Sequence, residues 1–105
     1  MLEKPQIAEV WRVDLGMTGK VRPVLVLTSC PSDQELDLYT VLAHTTSLRN
    51  NPWELKIQKP FLKEGAFHLQ QIQTLSRSVF LKKLGQLNEM EFSLVRQKLK
   101  LRLNL

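Results

Sequence analysis

The chain has 105 residues and a net charge of +5, with 43% hydrophobic and 24% charged residues. That suits one soluble globular domain with a modest core, and no apolar run reaches the ~20 residues that a membrane-spanning helix needs. The single cysteine, Cys30, excludes an intrachain disulfide, while the basic excess calls for an anionic partner, such as nucleic acid, an acidic protein segment or a membrane surface.

Met1-Leu2-Glu3-Lys4-Pro5 lacks the charged-then-apolar pattern of a secretory signal, so a cytoplasmic protein is expected. Glu9 to Leu15 alternates, with Trp11, Val13 and Leu15 on one face of a strand and Arg12 and Asp14 on the other. Gly16 to Lys20 breaks it as a short glycine-flanked loop. Arg22 to Ser29 is almost continuously apolar and β-branched, which predicts a central strand buried on both faces. Pro23 cannot donate to a ladder and belongs at that strand's start. Cys30 ends the run and reads as a small buried or half-buried residue.

Pro31 to Asp37 is turn-like, and Leu38 to Thr46 reads as a third strand. Leu48 to Pro52 is a loop, Trp53 to Gln58 a fourth strand, and Glu64-Gly65 a turn. Phe67 to Thr74 is a further strand carrying a polar row of His68, Gln70, Gln71 and Gln73. A short helical turn is expected near Ser76 to Leu81. The period then changes. Asn88 followed by Glu91 forms a capping-box pattern. Phe92, Val95, Leu99 and Leu103 mark an amphipathic helix from about Glu89 onward. Strands followed by one helix predict an α+β domain with a mostly antiparallel sheet. A small sheet under one helix leaves apolar surface to hide, which predicts a homodimer. The basic residues at 82, 83, 96, 98, 100 and 102 read as a solvated face.

Three segments, taken in order and spacing, resemble the MazF/PemK toxins. They are Glu9-Val10-Trp11-Arg12-Val13-Asp14-Leu15, Val21-Arg22-Pro23-Val24-Leu25-Val26-Leu27, and His44-Thr45-Thr46-Ser47 with Asn51-Pro52-Trp53-Glu54-Leu55. Leu69 to Thr74 fits a further family segment. The resemblance implies a small SH3-like barrel or sheet with a C-terminal helix, working as a homodimer. It also implies a metal-independent endoribonuclease that cuts single-stranded RNA at short sequences. Its partner would be a cognate antitoxin that lays an acidic, disordered tail along the RNA groove. The alternatives are a non-catalytic protein-binding toxin, as the structurally similar CcdB toxins are towards gyrase, and an RNA-binding module that does not cut.

By composition Arg22 is best read as a surface ion pair with Glu9 or Asp14. The resemblance makes it a catalytic residue, whose charged fork suits a phosphate in its transition state. Thr45 would donate a hydroxyl hydrogen bond to the same phosphate, although most such threonines are simply strand residues. Thr46 is the neighbouring choice. His68 departs from the family, which often has a basic residue near this point and an acidic one two residues on. Here those places hold His68 and Gln70, which share a face of a regular strand. An amide is no general base near neutral pH. His68 is therefore the expected proton shuttle or phosphate ligand, against the reading as a half-buried structural histidine. His44 is ranked below it.

Gln70, Gln71 and Gln73 carry amides suited to base edges or the 2′-hydroxyl. Lys20 and Arg49 would attract phosphate at the groove rim. Trp11 and Trp53 are assigned to the core, which leaves few stacking platforms. Two histidines and one distant cysteine have no metal-ligand spacing, so neither a metal nor another cofactor is expected. The loop before Arg22 is shorter than the family's usual connection there.

Overall fold

The computed structural model describes residues 3–16 and 20–105. The expected glycine-flanked loop falls partly on Met17, Thr18 and Gly19, which lie outside the described residues. Six strands and one helix follow in order: β1 (Glu9–Asp14), β2 (Val21–Val26), β3 (Leu38–Thr45), β4 (Glu54–Leu55), β5 (Ala66–Ser76), β6 (Phe80–Gln86) and α1 (Glu89–Leu103). The strands form one sheet in the order β4-β5-β3-β2-β1-β6, with every neighbouring pair antiparallel. The α+β expectation holds. The sheet is open, however, and not closed into a barrel: β4 at one edge has only two residues and does not pair with β6 at the other.

Strand alternation separates two cores. Val10, Leu25, Leu42, Phe67 and Leu69 face α1, where Phe92 and Val95 complete the cluster. Trp11, Val13, Val24, Val26, Tyr39, Val41 and Phe80 form the other cluster. There Phe80 meets Trp11 edge-on at 6.0 Å and Tyr39 at 5.2 Å. Burying each such large apolar side chain stabilises the fold by about 1.5–3 kcal/mol before chain entropy is counted. Pro23 lies within β2 rather than at its first residue. The pairing of β2 with β3 begins only at Val24, so the missing N–H costs no bond to β3.

Three local readings change. The expected fourth strand, Trp53 to Gln58, shrinks to Glu54–Leu55. The expected helical turn is a single 3₁₀ turn over Arg77–Val79, capped by Ser76. The chain then continues directly into β6, a strand that the sequence pattern concealed. Lys82 and Lys83 in that strand suit an exposed sheet edge, where lysine discourages pairing with another chain. Lys83 is more than part of a solvated face, because its Nζ lies 2.9 Å from Glu9 Oε2. Glu9 is almost buried, and its Oε1 accepts hydrogen bonds from Trp11 Nε1 at 2.9 Å and the Gln6 amide at 2.8 Å. Burial works to raise the pKa of Glu9, but these bonds and Lys83 together hold it below the ordinary value. This buried charge fastens β6 to β1.

The helix starts as its sequence predicts. Asn88 Oδ1 accepts from the Glu91 amide at 2.8 Å, and Glu91 Oε1 accepts from the Asn88 amide at 2.9 Å. Leu103, placed by its spacing on the core face, is half exposed.

Candidate functional site

A cavity of about 670 Å³ opens at the ends of the central strands. Its floor and walls come from Val21, Arg22 and Pro23 at the start of β2 and from His44 to Ser47 at the end of β3. Arg12 of β1, Leu84 of β6, and Phe61 and Lys63 of the β4–β5 loop complete it, with Lys20 on the approach to β2. Five distant segments are thus folded onto one hollow.

The register of β2 against β3 pairs Val24 with Ala43. Continued by two residues, it brings Arg22 level with Thr45. Alternation sends Arg22 and Thr45 to one face of the sheet and Arg12, Pro23 and His44 to the other. The cavity meets both sets because it lies where the strands end. Thr45 Oγ1 accepts a hydrogen bond from the Ser47 amide at 3.0 Å. The hydroxyl hydrogen therefore remains available to donate to a ligand.

The electrostatics are one-sided. Arg12, Lys20, Arg22 and Lys63 line the cavity, and no Asp or Glu does. Among the described residues, none of the four has a carboxylate within 4.0 Å. The ion-pair reading of Arg22 with Glu9 or Asp14 does not hold: Glu9 is engaged by Lys83, and Asp14 accepts from the Gly16 amide at 2.9 Å. Such a hollow attracts anions and gives them unpaired donors to bind.

His44 contributes a nearly buried imidazole at 4% exposure, standing edge-on to Phe67 with ring centroids 5.1 Å apart. Among the described residues, its Nε2 is the one buried side-chain nitrogen or oxygen that lacks a hydrogen-bond partner. Burial lowers its pKa, so the ring is neutral at neutral pH.

Two glycines shape the walls. A Cβ on Gly65 would lie 2.2 Å from the Thr45 carbonyl oxygen and 3.0 Å from His44 Cε1. Only glycine lets the start of β5 press so closely behind both residues. A Cβ on Gly85 would lie 2.3 Å from the Phe61 ring, so β6 seats that ring by leaving the space empty.

Of the residues singled out from sequence, Arg22, Thr45, Thr46 and Lys20 come together here. Arg49, His68, Gln70, Gln71 and Gln73 are not part of the lining. Arg49 lies in a loop gathered by Glu54, whose carboxylate accepts from the amides of Arg49 at 2.6 Å and Asn51 at 3.2 Å. Those bonds, the Arg49 amide first, lower the pKa of Glu54. His68 and Gln70 do not share an environment as regular alternation requires: His68 is buried and Gln70 exposed. The ladder explains it. Leu42 pairs with Ile72 and His44 with Phe67, so the four residues from His68 to Gln71 stand against Ala43 alone. This irregularity resets the side-chain direction, and the Gln70 amide bonds to His68 Nδ1 at 3.2 Å.

Sequence reasoning missed Arg12, Phe61, Lys63, Gly65, Leu84 and Gly85 among the lining or supporting residues. Arg12 had a visible signal as a lone cation on the polar face of β1. Phe61 and Lys63 sit in a segment whose pattern reads only as strand end and turn. Among the described residues, no three His, Cys, Asp or Glu side chains gather as a metal-ligand group. No helix among them is long and apolar enough to cross a membrane.

A family model described as "PemK-like, MazF-like toxin of type II toxin-antitoxin system" matches residues 6–103. No curated protein sequence matches the chain. Solved structures share the fold. An endoribonuclease in complex with its cognate antitoxin from a mycobacterial species superposes with a TM-score of 0.81 at 22% identity, over 96% of each chain. MazF from Deinococcus radiodurans gives a TM-score of 0.81 at 21% identity, over 99% of this chain and 100% of that one. A MazE–MazF structure from the same organism gives 0.79 at 20% identity, over 97% of each.

Proposed function

The chain belongs to the PemK-like, MazF-like family of toxins of type II toxin–antitoxin systems, and from that premise we propose that it is an endoribonuclease that cuts single-stranded RNA without a metal ion. The observation that carries the reading is the convergence of Arg22 and Thr45 on one cavity with four cations that, among the described residues, have no carboxylate partner.

In the reaction, the 2′-oxygen gives up its proton and attacks the adjacent phosphorus. The bond to the 5′-oxygen breaks and that oxygen takes a proton from water, balancing the one the 2′-oxygen gave up to water, which leaves a 2′,3′-cyclic phosphate on one fragment and a 5′-hydroxyl on the other. Negative charge builds on the non-bridging oxygens on the way. Arg22 is fully charged and presents two parallel donors to them. Thr45 supplies a third donor, its oxygen already held by the Ser47 amide. Lys20 and Thr46 bind the flanking backbone in this reading. Arg49, Gln70, Gln71 and Gln73, outside the cavity, contact RNA that runs beyond it. His68 also lies outside the lining; if it moves a proton, His68→Ala must slow cleavage, and an unchanged rate removes it from the chemistry.

The same cationic hollow suits the acidic tail of a cognate antitoxin, which competes with RNA for it. A homodimer, working in the cytoplasm, belongs to the proposal. Exposed apolar side chains on α1 support it: Met90, Leu94 and Leu101 are 78%, 45% and 66% exposed.

The deciding experiment incubates a long single-stranded RNA with the protein in EDTA and compares Arg22→Ala. Discrete cuts that persist in EDTA and vanish in the variant are expected. A folded protein that leaves a broad set of RNAs intact overturns the nuclease reading and favours a toxin that binds a protein target.

A further inference from the structure

The cavity is more than a phosphate cradle. On the side away from Arg22, its walls are apolar: the Phe61 ring seated over Gly85, Pro23, and Leu84. Arg12 shares the sheet face of Pro23, with which it pairs, and Lys63 also lines the cavity. His44 also lines it, with a nearly buried ring whose Nε2 lacks a partner among the described residues. A buried polar atom without a partner calls for a reason. Here it leaves His44, a lining residue, with hydrogen-bonding capacity that no protein group among the described residues uses. The volume of about 670 Å³ falls within the ~300–1,000 Å³ typical of small-ligand sites. It is therefore ample for a phosphate and the nucleotide attached to it.

We propose that this side of the cavity is a nucleobase subsite, in which one base beside the cleaved phosphate packs against Phe61 while His44 hydrogen-bonds its edge and Arg12 and Lys63 hold its phosphate. The proposal rests on the reading of the cavity as an RNA site. Single-stranded RNA is read by this combination of an aromatic face, a polar group on the base edge and cations on the backbone. A flat, π-faced ligand with polar edges and an adjoining anion matches all three wall types together. Inorganic phosphate or an acidic peptide uses only the cations. His44 is neutral and offers one donor and one acceptor. It thus distinguishes bases by edge pattern without adding charge to an already cationic hollow. Gly85 is a positioning residue, since it meets Phe61 and not the RNA.

The test separates this subsite from the chemistry. The probes are 2′-O-methyl octanucleotides, which lack the free 2′-hydroxyl and cannot be cut. Each carries one A, C, G or U guest within a U host or an A host, and binding is followed by fluorescence anisotropy. For wild type, the best and worst guests should differ about tenfold in affinity. Phe61→Leu and His44→Gln should compress that spread to about twofold, and Gly85→Ala should do the same by displacing the ring. Arg12→Gln should weaken all guests by one common factor and leave the spread intact. Circular dichroism confirms that each variant is folded; should Gly85→Ala not fold, the other two still decide. A wild-type spread below twofold, or variants that keep the wild-type spread, overturns the subsite. RNA cleavage is read separately. Base-selective binding with no cutting keeps the subsite and sinks the nuclease. Cutting by wild type with an unchanged spread in Phe61→Leu and His44→Gln does the reverse.

Discussion

Thr45 accepts the Ser47 amide at 3.0 Å, and that bond decides what the position should tolerate. Serine keeps both the acceptor and the free hydrogen; valine keeps the shape and loses both. In single-turnover cleavage, Thr45→Ser should stay within a few-fold of wild type. Thr45→Val should fall by about 10²–10³, the usual loss for one transition-state donor. His44 gives a pH prediction. Its folded pKa lies below the ordinary 6.5 because burial disfavours the charged ring. The unfolded chain therefore binds more protons in the window from 6.5 down to the folded value, and stability falls as pH drops through it. The groups around the ring are Phe67 and Gly65, with Arg12, Lys20, Arg22 and Lys63 also lining the cavity and, among the described residues, no acid there to oppose them. Urea midpoints for wild type should decline over that window, and those for His44→Gln should decline less. Arg22 and Thr45 were legible in the sequence only through the order of family-like segments, since a lone Arg-Pro or Thr carries little information. Phe61 was not legible at all. Its importance comes from the empty space over Gly85, which exists only once β6 lies beside the loop.

At the scale of elements, local signals read best where the chemistry itself is local. The box of Asn88 and Glu91 needs four consecutive residues and nothing else, and it is present as its sequence predicts. Asn88→Ala should therefore cost about 1 kcal/mol. Chemical denaturation should show this as a lower midpoint with an unchanged slope. Lys59, 2.6 Å from Glu91, also ties the β4–β5 loop to that helix turn. β6 escaped notice for the opposite reason. Phe80 to Gln86 has no clean alternation, because its pairing with β1 shifts register twice. What makes it a strand is the partner, together with the half-buried ion pair of Glu9 and Lys83. The polar row on β5 was visible, but its facing was not. An irregularity opposite Ala43 depends on how β3, β4 and β5 meet, and no period in β5 alone announces it.

For the whole molecule, the decisive contact is between the first strand and the last. β1 lies between β2 and β6, so the sheet is incomplete on one side until residues 80–86 arrive. The exposed face of β1 would then carry Trp11 and Val13 without Phe80 over them. A chain ending at Val79 should show no cooperative unfolding transition and no RNA cleavage, although it retains Arg22 and Thr45. Finding either activity or cooperative unfolding in that fragment would refute this account of the fold. Long-range closure of this kind also makes folding slow compared with helical domains. The consequence reaches back to the ribosome. Arg12 and Leu84 line the same cavity, yet they lie far apart in the order of synthesis. At about 5–20 residues per second, roughly 4–14 s pass between them. Once Thr45 has been added, the nascent chain holds every reacting group of the proposed mechanism and no cavity to bring them together. The arrival of β6 is therefore itself the event that arms the protein, and under the proposed function an antitoxin present at that moment meets a surface that did not exist seconds earlier.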